Sequence, residues 1–299
     1  MLNNSLVETR RLQLLLELSR LGSMREVANE LGVTTSTVSQ QIAVLAREAG
    51  VPLIEPDGRR VRLTPAGRRL AERAVTILAE VEAARLDLDP EAEPAGTLRI
   101  AGFATAIRRS LLPIVADLAV SHPKLRLLIH EHEPRESFDL LATDDIDLAL
   151  TYDYNLAPAA FDRTVESTAL WSAGWSLGVP QTRPEPTGTA LTVFRRFADH
   201  PWIVNSRNTA DEDVVRTIAS MAGFEPQISH RADSLDLVQH LIVAGLGVGL
   251  LPAGRPAIPG VALLPLAEPD VRLRSYAVTR RGRAEWPPLA LVLRRLAQA

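Results

Sequence analysis

At 299 residues the chain is too long for one small domain and suits two or three. It has no Cys, which excludes disulfides, thiolate zinc sites, cysteine nucleophiles and thiol redox sensing; no run nears the roughly 20 apolar residues of a membrane helix, and the N-terminus lacks a basic-then-apolar leader, so a cytoplasmic location with no membrane partner is expected. The net charge of -3 is unevenly divided: residues 1–70 carry 10 Lys+Arg against 7 Asp+Glu and the rest of the chain 23 against 29, which hints at nucleic-acid contact at the N-terminal end alone.

Leu12, Leu15, Leu16 and Leu18 predict a first helix over about 6–20, ended by Gly22. A second, about 24–31, buries Val27, Ala28 and Leu31. Gly32 supplies a left-handed turn, and Thr34 caps a third helix by accepting a backbone N–H. This is helix-turn-helix spacing. In the third helix Val38, Ile42, Leu45 and Ala49 recur at core positions, so Thr35, Ser36, Ser39, Gln40 and Ala43 face out. An exposed face of hydroxyls and an amide, nearly free of charge, suits base edges and phosphate oxygens, and Gln40 can bond adenine bidentately.

Asp57-Gly58 marks a tight turn between short strands 53–55 and 61–63. Arg59, Arg60 and Arg62 at its tip suit the phosphate backbone. Thr64-Pro65 opens a further helix, cap then Pro. Along it Leu70, Ala74, Ile77, Val81, Ala84 and Leu88 step by four and three, a heptad seam that pairs with a second copy or lies on its own domain. Residues 87–96, with two Pro and four acids, read as a hinge.

Beyond residue 97 short apolar runs alternate with helices: strands 98–103, 125–131, 146–152, 202–205, 227–231, 248–251, 261–265 and 273–279, helices 107–120, 136–142, 211–222 and 235–244. Alternation predicts a mostly parallel α/β sheet in two lobes, with 164–180 crossing between them. Ligands in such sheets sit at strand carboxyl ends against helix N-termini.

The segment "SMREVANELGVTTSTVSQQIAVLAREAGVPLIEPDGRRVRLTPAG" resembles the DNA-binding domain of LysR-type transcriptional regulators, and "LLP" at 111–113, "DIDLAL" at 145–150 and "VAGLGVGLLP" at 243–252 resemble their effector domain. The resemblance implies α/β architecture with an N-terminal winged helix-turn-helix over 1–64, a linker dimerisation helix over 65–89, a hinge over 90–96 and a periplasmic-binding-protein-like effector domain over 97–299. Its lobe I is expected at about 97–163 and 266–299, lobe II at about 164–265. It further implies a sequence-specific regulator, not an enzyme, that partners double-stranded DNA, itself as dimer or tetramer, an unidentified small-molecule effector and RNA polymerase. Thr34, Thr35, Ser36, Thr37, Ser39, Gln40, Arg59, Arg60 and Arg62 are the expected DNA contacts. Pro56 and Asp57 depart from the family's basic wing, and Ala106 stands where the family's effector-binding hydroxyl usually lies, with Thr105 shifted by one.

Strand-end position nominates Ala104, Thr105 and Ala106, Thr151, Tyr152 and Asp153, Asn205, Ser206 and Arg207, Ser234 and Gly249 for the effector crevice. The helix after Thr105 with Arg207 suits a carboxylate or phosphate; Asp153 suits an amine. His130 and His132 share a strand face, but without Cys or a third His in register neither a metal nor any other cofactor is expected. Gly245, Gly247 and Gly249 follow a helix and enter a strand, the reverse of a dinucleotide loop. Trp171 and Trp175 read as core or interface. A solute-binding protein or a hydrolase on the same lobes is opposed by the missing leader, the missing P-loop motif and the lack of a His plausibly paired with a nucleophile. A regulator without an effector remains open, and a crevice filled by its own side chains would favour it.

Overall fold

Three helices, α1 (Thr9–Leu21), α2 (Met24–Glu30) and α3 (Thr35–Ala49), precede the hairpin β1 (Ile54–Asp57) and β2 (Arg60–Leu63) in a computed structural model that describes residues 8–57, 60–89, 93–181, 188–207 and 209–298. Leu12, Leu15, Leu18, Val27, Val38, Ile42 and Leu45 share one buried core with Leu53 and Leu63 of the hairpin. Arg11 of α1 clamps α3 through Glu48 and Gln41. Gly32 adopts φ +63°, a conformation that costs other residues strain, and so turns the chain between α2 and α3. Thr34 Oγ1 then accepts the Thr37 N–H at 3.1 Å as the α3 cap. Ala49, expected in the core, is exposed, because α3 ends there and Gly50 turns the chain away.

The long helix α4 (Pro65–Leu88) starts at Thr64, whose hydroxyl oxygen accepts the Gly67 N–H at 3.0 Å and donates to the Pro52 carbonyl at 2.8 Å. A Cβ on Gly67 would stand 2.1 Å from the Leu53 oxygen, so glycine is what lets α4 lie against the hairpin. Two of the expected seam residues are spent here: Ala74 is fully buried in the winged-helix core and Leu70 packs against it. What faces outward is the C-terminal half of the seam, with Ile77 42% and Leu88 86% exposed, Ala84 exposed and Val81 half-buried.

The remaining elements are β3 (Gly96–Gly102), α5 (Ala104–Ala106) continuing through a π-helical turn (Ile107–Leu111) into α6 (Leu112–Ser121), β4 (Leu125–Glu131), α7 (Pro134–Ala142), β5 (Leu148–Tyr154), β6 (Val165–Pro180), α8 (Ala190–Arg196), β7 (Pro201–Val204), α9 (Ala210–Ala222), β8 (Gln227–Arg231), α10 (Leu235–Val243), β9 (Val248–Pro252), β10 (Val261–Pro265), β11 (Arg272–Arg280) and α11 (Pro287–Leu296). Two helices, α8 and α11, were not among the expected elements. The strand order is β4-β3-β5-β11-β6-β9-β7-β8, with β10 also paired to β6. The expected mostly parallel sheet is in fact mixed. Parallel pairs β3–β4, β3–β5, β7–β8 and β7–β9 sit toward the outer ends, while β5–β11–β6 and β6–β9 with β6–β10 are antiparallel.

The cause is β6, a 16-residue strand that serves both lobes. Residues 165–174 pair with β11 in lobe I, and residues 175–180 pair with β9 and β10 in lobe II. The first half of β6 therefore lies in the lobe I sheet and not in lobe II. α4 packs against α11, and a Cβ on Gly282, just after β11, would come 2.0 Å from Thr76 Oγ1, so the end of β11 lies directly on α4.

Candidate DNA-binding face and interlobe crevice

On α3 the residues Thr35, Ser36, Ser39, Gln40 and Ala43 are all exposed, and Val38 and Ile42 behind them are fully buried, so packing fixes which face points outward. The Thr34 hydroxyl is engaged as the cap and lies 2.8 Å from both the Ser36 and Thr37 hydroxyls. In the wing Arg62 pairs with Glu55, its register partner across the hairpin, at 2.9 Å. An exposed pair of this kind contributes little to stability and exchanges readily with a phosphate. Arg59 lies outside the described residues, as does the side chain of Arg60.

The crevice between the lobes is bridged by the chain's own groups. Asn205, just after β7 in lobe II, donates through Nδ2 to Glu133 Oε2 at 3.3 Å and to the Tyr152 hydroxyl at 3.5 Å, both of lobe I. Tyr152 itself donates to Glu133 at 3.3 Å. Glu133, Tyr152 and Asn205 are all buried. Beside them Arg207 donates from Nε to Asp233 at 2.8 Å and reaches back to lobe I, with Glu136 at 3.5 Å and Glu131 at 3.7 Å. The hydrogen bond to Asp233 raises the Arg207 pKa. Burial pushes the Asp233 carboxyl up, but hydrogen bonds from Ser206 and Arg207 outweigh it and hold it below the usual range.

Deeper in, Asp211 at the start of α9 is raised to about 7, first by burial and further by the charges of Glu133 and Asp233, with the Tyr154 hydroxyl opposing. Its Oδ1 and the Tyr154 hydroxyl oxygen are both shielded from solvent without a well-formed hydrogen bond.

This arrangement corrects several sequence expectations. Arg207 is not a free cation awaiting an anion, since three carboxylates surround it. Asp153 is buried on the opposite face of β5, tied to Arg274 by two bonds of 2.8 Å, and offers nothing to an amine in the crevice. Alternation along β5 explains it: Tyr152 and Tyr154 face the interlobe core, while Thr151 and Asp153 face away. Gly249 is buried within the lobe II sheet, where a Cβ would stand 3.1 Å from the Ile203 oxygen. Ala106 is fully buried. Ala104 and Thr105 are half-buried at the N-terminus of α5, and Ser234 is the exposed cap of α10. Ser206 donates its hydroxyl to Asp233.

Glu133 was missed, although a carboxylate two residues past a strand end and just before Pro134 is a helix-cap signal. The His130 and His132 rings lie 6.2 Å apart, His132 faces Glu136, and among the described residues no group of three or more His or acidic side chains suited to a metal comes together. Gly245 ends α10 at φ +73°, and Gly247 passes so close to the Pro201 oxygen that a Cβ would stand 2.7 Å away, so these glycines serve a helix-to-strand turn. Trp171 donates to Ser110 at 2.8 Å under the Arg109 guanidinium, and Trp175 packs edge-on to Tyr154.

A winged helix-turn-helix joined by one long helix to a two-lobed α/β domain defines a class: DNA-binding regulators whose second domain has the form of a small-molecule receptor. The family model of the LysR substrate binding domain matches residues 91–299, and that of the bacterial regulatory helix-turn-helix protein, lysR family, matches residues 9–68. The chain belongs to the LysR family of transcriptional regulators, DNA-binding proteins and not enzymes, in which control by an effector is typical. Relatives include the DNA-binding transcriptional dual regulator OxyR of Escherichia coli, 27% identical over 95% of this chain and 94% of that protein. The transcriptional dual regulator GltC of Bacillus subtilis is 27% identical over 82% and 81%. Among solved structures, a full-length OxyR variant from Pseudomonas aeruginosa superposes with TM-score 0.70 at 19% identity, covering 97% of this chain and 93% of that one; full-length BenM gives 0.56 at 22%, covering 97% and 96%. At such identities these structures speak for the fold. Among the described residues no helix is long and apolar enough to cross a membrane.

Proposed function

We propose that α3 reads base edges in a major groove through Ser36, Ser39 and Gln40, with Thr34, Thr35 and Thr37 near the phosphates, while Arg59, Arg60 and Arg62 of the wing grip the backbone. The observation that carries this reading is the uncharged, exposed polar face of α3 held against a fully buried Val38 and Ile42. Ile77, Val81, Ala84 and Leu88 pair with a second copy, setting two α3 helices on adjacent half-sites. The domain limits, 65–89 for the linker and 97–299 for the effector domain, follow the same reading, as do a cytoplasmic location and contact with RNA polymerase.

The effector enters between the lobes near Thr105, Tyr152 and Asn205, where it must displace the Asn205 bridge. One group of relatives bears the name hydrogen peroxide-inducible genes activator; with no Cys in this chain, a peroxide response through a thiol is closed to it. A second reading, a regulator switched by a partner with no crevice ligand, is favoured by the same Glu133–Tyr152–Asn205 bridge. A metabolite screen separates the two: a ligand that raises the melting temperature of wild type but not of Asn205→Leu supports the effector.

The DNA assignment is tested by fluorescence anisotropy on a duplex selected from a random pool. Gln40→Ala should lose about 1–3 kcal/mol of preference for the selected sequence. Arg59→Ala with Arg60→Ala should weaken binding to all sequences and lower the salt slope by about 2. A Gln40→Ala variant with unchanged preference removes the reading helix from this account.

A further inference from the structure

A groove of about 780 Å³ runs between the first half of α4 and lobe I, away from the interlobe crevice. Five guanidiniums line it: Arg69 and Arg73 from α4, Arg163 from the segment before β6, and Arg280 and Arg281 at the end of β11. Only Glu72 and Asp162 oppose them there. Arg280 is neutralised by Asp144 at 3.0 Å, and Arg281 shares Glu166 at 3.9 Å while donating to the Arg163 carbonyl at 2.8 Å. Arg69, Arg73 and Arg163 have no ion pair among the described residues. Asp162 is itself occupied, accepting the Thr164 N–H at 2.7 Å. The floor is apolar, formed by Phe138 and the buried Leu141 of α7.

Guanidiniums converging on one groove repel one another unless an anion sits among them, and their planar forks match phosphate oxygens in bidentate pairs. A volume of this size suits an organic ligand, and the apolar floor suits its uncharged body. We propose that this groove is a binding site for a small organic molecule carrying two or more phosphate groups. The site is distinct from the crevice in both place and charge, since the crevice presents carboxylates. Because α4 grows out of the winged helix and lobe I belongs to the effector domain, a ligand held here braces one against the other. Gly282 on Thr76 already brings α4 and the end of β11 into direct contact.

The test is calorimetric titration of the full chain with ATP and with inorganic tripolyphosphate, each against orthophosphate. Wild type should bind both probes at least about tenfold more tightly than orthophosphate, with affinity falling as salt rises. Arg73→Gln with Arg163→Gln should weaken both at least about tenfold. These two side chains are exposed and unpaired, so the melting temperature without probe should not fall. Glu72→Gln, which removes an opposing charge, should tighten binding two- to threefold or more and is informative even if the double variant folds poorly. Tripolyphosphate bound as well as ATP would keep the phosphate contacts and discard the apolar floor as a subsite. No heat from either probe with wild type, or equal binding by wild type and the double variant, overturns the proposal. So does a double variant whose only defect is weaker, sequence-independent DNA binding, which would make these arginines contacts to the DNA backbone.

Discussion

The two surfaces on which the proposed function turns are built in opposite ways. In the first turns of α3, from Thr35 to Gln40, the polar groups that face outward are uncharged, and packing behind them fixes their direction, so they stand ready for a ligand. In the interlobe crevice nearly every polar group already has a partner inside the molecule: Asn205 with Glu133 and Tyr152, Arg207 with Asp233, Glu136 and Glu131. A rigid face can bind without rearrangement. A self-bridged crevice can bind only what offers more than the bonds it breaks, and breaking them lets one lobe move against the other. On the proposed reading, recognition and response rest on different physics.

That contrast can be broken at several points, the largest on α4. Ile77→Asp places a charge in the outward half of the seam and should convert the proposed dimer to monomer in sedimentation measurements, with loss of paired half-site binding. A variant that stays dimeric shows that the copies meet elsewhere. Next, Gly67→Ala should destabilise the winged domain by about 3 kcal/mol in urea melts, because the new Cβ meets a backbone oxygen that has no freedom to yield. The gain in helix propensity, roughly 1 kcal/mol, opposes this and is too small to win. A neutral or stabilising outcome would show that α4 does not lie against the hairpin as described.

The smallest effect concerns the crevice. Asp211 has its pKa raised from 3.8 to about 7, so the folded state holds its proton more tightly than the unfolded chain does. Its contribution to stability is therefore fully present below about pH 4 and is lost as pH rises through about 7. Asp211→Asn should flatten that decline across the window, leaving the winged domain's transition unchanged. If the pH profile of the variant overlays wild type, the Asp211 carboxyl is solvated and the crevice is more open than described.

The DNA-binding half was legible in the sequence because its signals are local. Gly32 needs φ > 0, Thr34 caps three residues on, and Val38, Ile42 and Leu45 repeat at helical spacing, so all the information sits within one turn or two. Element limits in the second domain were also largely readable; β4, β8 and β10 begin and end at the residues expected of them. What could not be read is what depends on distant partners. Leu70 and Ala74 fit a heptad seam, but nothing in their spacing says that α1 covers them. Nor does the string of residues around Asp153 reveal Arg274, 121 positions away, which removes that carboxylate from the crevice. The sheet direction was misread for the same cause, since antiparallel pairing of β6 with β9, β10 and β11 is set by topology and leaves no periodic mark.

The central claim is that one end of this chain reads a DNA sequence. It is tested most directly by fluorescence anisotropy of the full chain on the DNA upstream of its own gene, against a scrambled duplex, at several salt concentrations. A DNA-reading chain should show at least about a thousandfold preference for the upstream sequence at physiological salt, with affinity to both duplexes falling steeply as salt rises. Equal affinity for the two duplexes at every salt concentration, also seen across duplexes selected from a random pool, would contradict it.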